Sequence, residues 1–232
     1  MGKSPFLGEV CTTYLAAEGG REIRMKAFIY VGGVISPDHI TEKPADGDLC
    51  IAADGGYQNA KKLGHPVHIA VGDFDSFPRE RIDDGTELIE LPAEKDLTDS
   101  QVCIETAIAR GADEIILIGG LSGRLDHTLA NLCILEDLYA RRVMGYITDG
   151  CNRARFIRNS GAIILRSDFK YLSLIAADDT CKGVSVQGCK YELKKQPVHR
   201  RLQFAVSNEI TGNCAMVTVK KGGLYIIESR EA

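Results

Sequence analysis

The chain reads as an α/β protein, with an N-terminal parallel-sheet α/β domain followed by a smaller antiparallel β-sandwich domain. Three features predict this. From Met25 to about Thr148, short continuous apolar runs alternate with helical segments, the pattern of buried parallel strands joined by crossover helices. Past Gly150 the rhythm changes to short strands separated by turn residues, with no convincing helix among them. The 232 residues, 44% hydrophobic and 26% charged, are enough for one large core or two smaller ones. The change falls at residues 149–160, in DGCNRARFIRNSG, so 25–150 is expected to form the first domain and 151–232 the second.

Taken in order, residues 1–24 lack both the apolar core of a signal peptide and the periodicity of a good helix. Gly19-Gly20-Arg21-Glu22 can be encoded by a purine-rich stretch like a bacterial ribosome-binding site, which makes Met25 the expected start. The other reading is an extension packed on the domain. Strands are expected at KAFIYV, LCIAA, VHIAV, LIEL, EIILIGG and VMGYIT. Between the fourth and fifth, Thr98 and Gln101 form a capping box that opens a helix, and Gly111 closes it. After the fifth, Leu125, Leu129, Leu132, Leu135 and Leu138 recur at helical spacing, predicting a crossover helix with its leucines in the core. In the second domain, strands are expected at AIILRS, KYLSLIA, GVSVQG, KYELKK, RLQFAVS, AMVTVKKGG and LYIIES.

Composition narrows the partners. A net charge of −4 with scattered basic pairs gives no general attraction to nucleic acid. Eight cysteines without a C-x-x-C pair, several inside apolar runs, indicate a reduced, cytoplasmic protein. The five histidines form no zinc spacing, and no apolar run approaches the roughly 18 residues that would suggest a membrane span.

In a parallel α/β sheet, ligands bind beyond the carboxyl ends of the strands. The second run is followed by Asp54-Gly55-Gly56, the third by Gly72-Asp73-Phe74-Asp75-Ser76, the fourth by Glu94 to Asp99, and the fifth by Gly119 to His127. Asp73 and Asp75, at i and i+2, point to one side of an extended segment. At about 4 Å two such charges repel by roughly 4 kcal/mol at an effective dielectric of about 20. A divalent cation reverses that sign, and carboxylates suit Mg²⁺, which takes one or two of them together with substrate phosphates. The competing reading is an acidic turn in which Asp75 and Ser76 cap a helix. The gathering of acids at one end of the strands favours the metal.

Asp96 and Asp99 flank a helix N-terminus, so each serves either the site or the helix dipole. Gly119, Gly120 and Gly123 allow close backbone approach at a helix start, and Arg124 adds a bidentate donor, a combination suited to phosphate. Gly32-Gly33 reads either as a second such loop or as a plain turn. His127 is either a proton shuttle or a structural histidine beside Asp126. Together these groups describe phosphoryl or pyrophosphoryl transfer from a nucleotide. Neither a P-loop nor the kinase signature set is present.

The motifs ADGG, GDFDS, KDLTD and GGLSGRLDH, in this order, resemble those of the thiamine pyrophosphokinase family, and VSNEITG is similar to the family's second-domain signature. The resemblance runs from Met25 to the end. It implies an α/β nucleotide domain, a β-sandwich, and a homodimer holding thiamine between the two. It also implies Mg²⁺, ATP as co-substrate, and transfer of the terminal pyrophosphoryl group of ATP to the thiamine hydroxyl with release of AMP. Carried over by motif, Asp54, Asp73, Asp75 and Asp96 or Asp99 handle Mg²⁺ and phosphate. Gly55, Gly119, Gly120, Arg124, Asp126 and His127 then lie at the nucleotide, and Asp73, Asp75, Asp96 and Arg124 carry the catalysis.

On the thiamine side the resemblance implies Ser207 and Asn208. The chain has no tryptophan, whereas animal members of the family stack one on thiamine near the C-terminus; Tyr225 aligns there. A tyrosine face on a cationic thiazolium contributes up to about 2 kcal/mol when desolvated, less than tryptophan. The alternatives are transfer to another hydroxymethyl heterocycle such as a pterin, or a non-catalytic thiamine or nucleotide sensor. VSNEITG weighs against the first and the full set of carboxylates against the second.

Overall fold

Residues 25–74, 79–92 and 97–231 are described by the computed structural model. Asp75, Asp96 and the expected extension at 1–24 lie outside the described residues. The six expected strands of the first part form β1 (Lys26–Tyr30), β2 (Leu49–Ala53), β3 (Ile69–Gly72), β4 (Glu87–Glu90), β5 (Glu114–Ile118) and β6 (Met144–Thr148). They pair in parallel in the order β4-β3-β2-β1-β5-β6. The near-continuous apolar runs of β1, β2, β3 and β5 reflect burial on both faces, whereas the edge strand β4 is largely exposed. Ile29, Ile51, Val71, Ile115 and Leu117 face α2 (Asp99–Ala109) and α3 (Leu125–Ala140), while Phe28, Tyr30, Cys50, Ile116 and Ile118 face α1 (Gly56–Leu63). The close approach of α1 requires glycine at its first residue, because a Cβ on Gly56 would lie 2.0 Å from the Tyr30 carbonyl oxygen.

The α2 cap is half of the expected box. Thr98 Oγ1 accepts from the Gln101 N–H at 3.3 Å, but the Gln101 side chain turns to Glu105. The leucine stripe of α3 departs further from expectation. Leu135 and Leu138 are buried, but Leu125 and Leu129 are 69% and 54% exposed. A helix of 16 residues spans about 24 Å whereas a strand of five spans about 17 Å, so the first turns of α3 overhang the sheet.

The polar segment at 149–160, where the change of domain is expected, carries a strand. It forms β7 (Asn152–Arg158), which pairs antiparallel with both β6 and β13 (Gly223–Ser229). With β9 (Tyr171–Ala176) at the edge, one nine-stranded sheet runs through both parts of the chain. A second, antiparallel sheet has the order β11 (Leu193–His199), β10 (Thr180–Gln187), β12 (Cys214–Thr218), β8 (Gly161–Leu165). The two sheets face each other across Ile157, Leu172, Leu174, Val184, Val186, Val217, Leu224 and Ile226, giving the expected sandwich. RLQFAVS, expected as a strand, lies in turns; Leu202 and Phe204 are exposed.

The seven cysteines among the described residues are free thiols. Among the described residues no helix is long and apolar enough to cross a membrane.

Candidate active site

From β1 the chain moves to β2 on one side of the sheet, and from β5 to β6 on the other, so the order reverses between β1 and β5. The crevice beyond the carboxyl ends of strands at such a reversal is the ordinary ligand position of an open α/β sheet. Two glycine loops meet there. Gly32 follows Val31 after β1 and Gly119-Gly120 follow β5, and the Gly120 N–H donates to the Gly32 carbonyl at 2.9 Å. The Ser122 hydroxyl ties the same loops, accepting from the Val34 N–H at 2.7 Å and donating to the Val34 carbonyl at 3.3 Å. Gly32-Gly33 thus belongs to one of the two loops, and Ser122 is a site residue whose sequence signal is a hydroxyl within a glycine-rich turn after a strand.

On the neighbouring strands the acidic residues take up the rim. Ala53 pairs with Val71, which sets Asp54 level with Gly72 and one residue short of Asp73. The Asp54 N–H donates to the Val71 carbonyl at 2.8 Å, and its φ of 44° puts it in the left-handed region. That conformation is costly for a residue with a Cβ, easiest for Asp and Asn, and concentrates at functional turns. Gly55 opens α1, and a Cβ there would meet nothing within 4 Å. Asp99 is the first residue of α2, where its carboxylate also favours the helix dipole.

Whether these groups suit Mg²⁺ can be judged from their chemistry. Asp54 and Asp73 offer hard oxygens from adjacent strand ends, and Mg²⁺ needs only one or two carboxylates when substrate phosphates complete its shell. Among the described residues no three His, Cys, Asp or Glu side chains form a ready cage. Two carboxylates at neighbouring strand ends fit an ion whose remaining shell a phosphate ligand completes.

Arg124 caps α3 and its guanidinium grips Asp126, Nε to Oδ1 at 3.2 Å and Nη2 to Oδ2 at 2.6 Å. The pairing lowers the Asp126 pKa and raises that of Arg124; both side chains are exposed, so it adds little stability. His127 meets Asp126 through its backbone N–H at 3.0 Å, not through its ring.

The thiamine-side candidates lie on the other part. Ser207 has φ 56° and its N–H donates to Ser173 Oγ at 3.0 Å. Ser173 alternates with Leu172 and Leu174, which face the sandwich core, so Ser173, Ile175 and the Ile175 partner Tyr225 share the outer face of the large sheet. There the Tyr225 hydroxyl donates to Glu136 on α3, and its ring packs 5.3 Å from that of Phe156. Burial, and then the bond to Glu136, push the phenol pKa well above its usual value, keeping the hydroxyl a donor. Asn208 spends its amide within the chain: Oδ1 accepts from the Tyr191 N–H at 3.0 Å and Nδ2 donates to the Tyr191 carbonyl at 2.7 Å.

The fold and rim define a two-part α/β protein with its candidate site at a glycine-lined, acid-rimmed switch point. Models of the thiamin pyrophosphokinase catalytic domain and vitamin B1 binding domain match residues 44–147 and 162–224. The thiamine pyrophosphokinase of Bacillus subtilis is 27% identical over 188 residues, covering 79% of this chain and 88% of that protein. Thiamin pyrophosphokinase 1 of Caenorhabditis elegans is 26% identical over 190 residues, covering 77% and 78%. A crystal structure of the Bacillus subtilis thiamine pyrophosphokinase superposes with a TM-score of 0.80 at 23% identity, over 90% of this chain and 100% of that one. The chain belongs to the thiamine pyrophosphokinase family.

Proposed function

We propose that this chain is an enzyme that transfers the β,γ-pyrophosphoryl group of ATP to the hydroxyl of thiamine, giving thiamine pyrophosphate and AMP. The observation that carries the reading is that Asp54 and Asp73, at the carboxyl ends of β2 and β3, lie on the same rim of the sheet as the two glycine loops, in a chain of this family. Residues 25–150 would bind the nucleotide and 151–232 thiamine. Gly55, Gly119 and Gly120 give the triphosphate close access to backbone, and Asp126 and His127 line the same rim. Asp54, Asp73, Asp75 and Asp99 would hold Mg²⁺, which when bound supplies charge neutralisation for the β- and γ-phosphates. Asp96 belongs with the same catalytic carboxylates. Arg124, at the start of α3, would exchange Asp126 for phosphate and take the charge that develops as the α,β-bridging oxygen leaves.

Ser207, Asn208 and Tyr225 are assigned to thiamine, Asn208 by shaping the loop through Tyr191. Along α3, Glu136 beneath Tyr225 lies 11 residues from Leu125, about 16 Å from the Arg124 end. That separation within one chain, between a ring stacked on Tyr225 and a reaction at the Arg124 end, favours a homodimer in which each site takes Tyr225 from the partner. A cytoplasmic location accords with the free thiols.

The test is AMP release with ATP and Mg²⁺, with and without thiamine. Release only with thiamine is expected; release only with a hydroxymethylpterin would move the substrate. Mixing Asp73→Asn with Tyr225→Ala protein should restore part of the activity if sites are shared between chains, and restore none if each chain is self-sufficient.

A further inference from the structure

Two buried asparagines hold the switch-point loops from opposite faces of the sheet. Asn59, on α1 and 2% exposed, donates through Nδ2 to the carbonyls of Val31 at 2.9 Å and Gly33 at 3.0 Å. Asn131, on α3 and 6% exposed, donates through Nδ2 to the carbonyl of Gly120 at 3.1 Å. Asn131 sits hard against a glycine and Asn59 lies in contact range of another. A Cβ on Gly120 would lie 2.5 Å from Asn131 Nδ2, and one on Gly119 would lie 3.4 Å from Asn59 Nδ2.

A buried amide costs free energy unless its hydrogen bonds return it, and an apolar side chain would pack these helices more cheaply. What the amides fix is peptide orientation. In a planar trans peptide the C=O of one residue and the N–H of the next point opposite ways. Turning the Val31 carbonyl to Asn59 therefore turns the Gly32 N–H away from it, and turning the Gly120 carbonyl to Asn131 does the same for the Leu121 N–H. The Gly33 carbonyl, held by Asn59, similarly sends the Val34 N–H to Ser122 Oγ. Outward backbone N–H groups in a glycine-rich turn are the usual donors to a polyphosphate.

We propose that Asn59 and Asn131 are positioning residues that lock the two glycine loops so that the Gly32 and Leu121 N–H groups face the polyphosphate of the nucleotide. This deepens the nucleotide reading above and rests on it. The two act as one latch, because the Gly120–Gly32 and Ser122–Val34 bonds join the loops they hold.

Asn59→Ala, Asn131→Ala and Ser122→Ala are compared with the unaltered chain by varying ATP and thiamine separately, by binding a nonhydrolysable ATP analogue and adenosine, and by thermal unfolding. Misplacing a binding loop by a fraction of an ångström to one ångström should lower kcat/KM for ATP by about 10- to 100-fold. The thiamine KM should stay within about twofold, since that substrate is bound elsewhere. The analogue should lose affinity while adenosine, which lacks phosphate, does not. Unchanged kcat/KM for ATP, or equal losses for both substrates that follow thermal stability, would overturn the proposal. Should the asparagine variants fail to fold, Ser122→Ala, at a half-buried position, decides: the same ATP-selective loss supports the latch and no change refutes it. If the unaltered chain releases no thiamine-dependent AMP, the function proposed above fails by itself, and the analogue-against-adenosine comparison still decides the role of the asparagines.

Discussion

Replacing Glu228 with glutamine should weaken the β7–β13 pairing in the second part of the chain without touching the rim. The Glu228 side chain is 3% exposed on β13; it accepts from Arg155 Nη2 on β7 at 2.9 Å, with Arg153 Nη1 at 3.9 Å and Ser167 Oγ at 3.5 Å. Burial is the main influence on Arg155, lowering its pKa, and the Glu228 charge opposes it. Glutamine keeps the shape but leaves that guanidinium uncompensated. Removing one partner of a buried pair costs about 3–5 kcal/mol. Arg155 keeps some solvent contact, so the lower end, about 3 kcal/mol, applies. For a chain of this length that is a Tm fall of about 6–12 °C. Urea unfolding followed by circular dichroism gives the free energy directly. The double variant Arg155→Met with Glu228→Leu, which replaces the pair instead of breaking it, should lose less than Glu228→Gln alone. A single variant within about 1 kcal/mol of the parent, or a double variant worse than the single, would refute the reasoning.

Three further outcomes follow from the site and its surroundings. Asp54→Asn and Asp73→Asn should each lower turnover by roughly 10²- to 10³-fold while leaving the urea midpoint in place; near-normal turnover in both would reject the carboxylate role. Tyr225→Ala should raise the thiamine KM far more than the ATP KM. Tyr225→Phe keeps the ring on Phe156 and loses the Glu136 bond, so it should cost about 1 kcal/mol of stability with little change in either KM. Burial lowers the pKa of His65, whose Nδ1 lies 2.8 Å from the Tyr30 hydroxyl, so the unfolded chain takes up this proton first. Stability should therefore hold above about pH 6.5, fall as pH drops below it, and level off below the folded pKa. His65→Gln should flatten that fall in a urea-midpoint series, and an unchanged slope would count against the assignment.

The central strands β1, β2, β3 and β5 are readable because burial on both faces leaves continuous apolar runs such as EIILIGG. β7 is not, because in NRARFIR the alternate positions Arg153 and Arg155 are charged and the segment reads as polar. Period two was present, but the charged face is buried only by pairing with Glu42 and Glu228, which no local pattern reveals. RLQFAVS errs the other way: its alternation is strand-like, yet it touches the edge strand β9 only through bonds such as Leu174 N–H to Ala205. Leu125 and Leu129 follow the same periodicity as Leu135, and only the overhang of α3 separates core from surface. At the site, the acid-glycine order marked the strand ends well, since the carboxyl ends of parallel strands converge on one rim. Asn59 and Asn131 are not legible in the sequence. A lone asparagine in a helix carries no motif, and its meaning lies in which carbonyls the fold brings to it.

The central claim concerns which bond of ATP is broken. An ordinary kinase presents the γ-phosphorus and leaves ADP, whereas transfer of a pyrophosphoryl group requires attack at the β-phosphorus with AMP as leaving group. The most direct measurement is incubation of the full chain with Mg²⁺, thiamine and ATP labelled separately at the β- and γ-positions. Both labels should appear in the thiamine product, with AMP released one for one. ADP together with the γ-label alone would contradict the account.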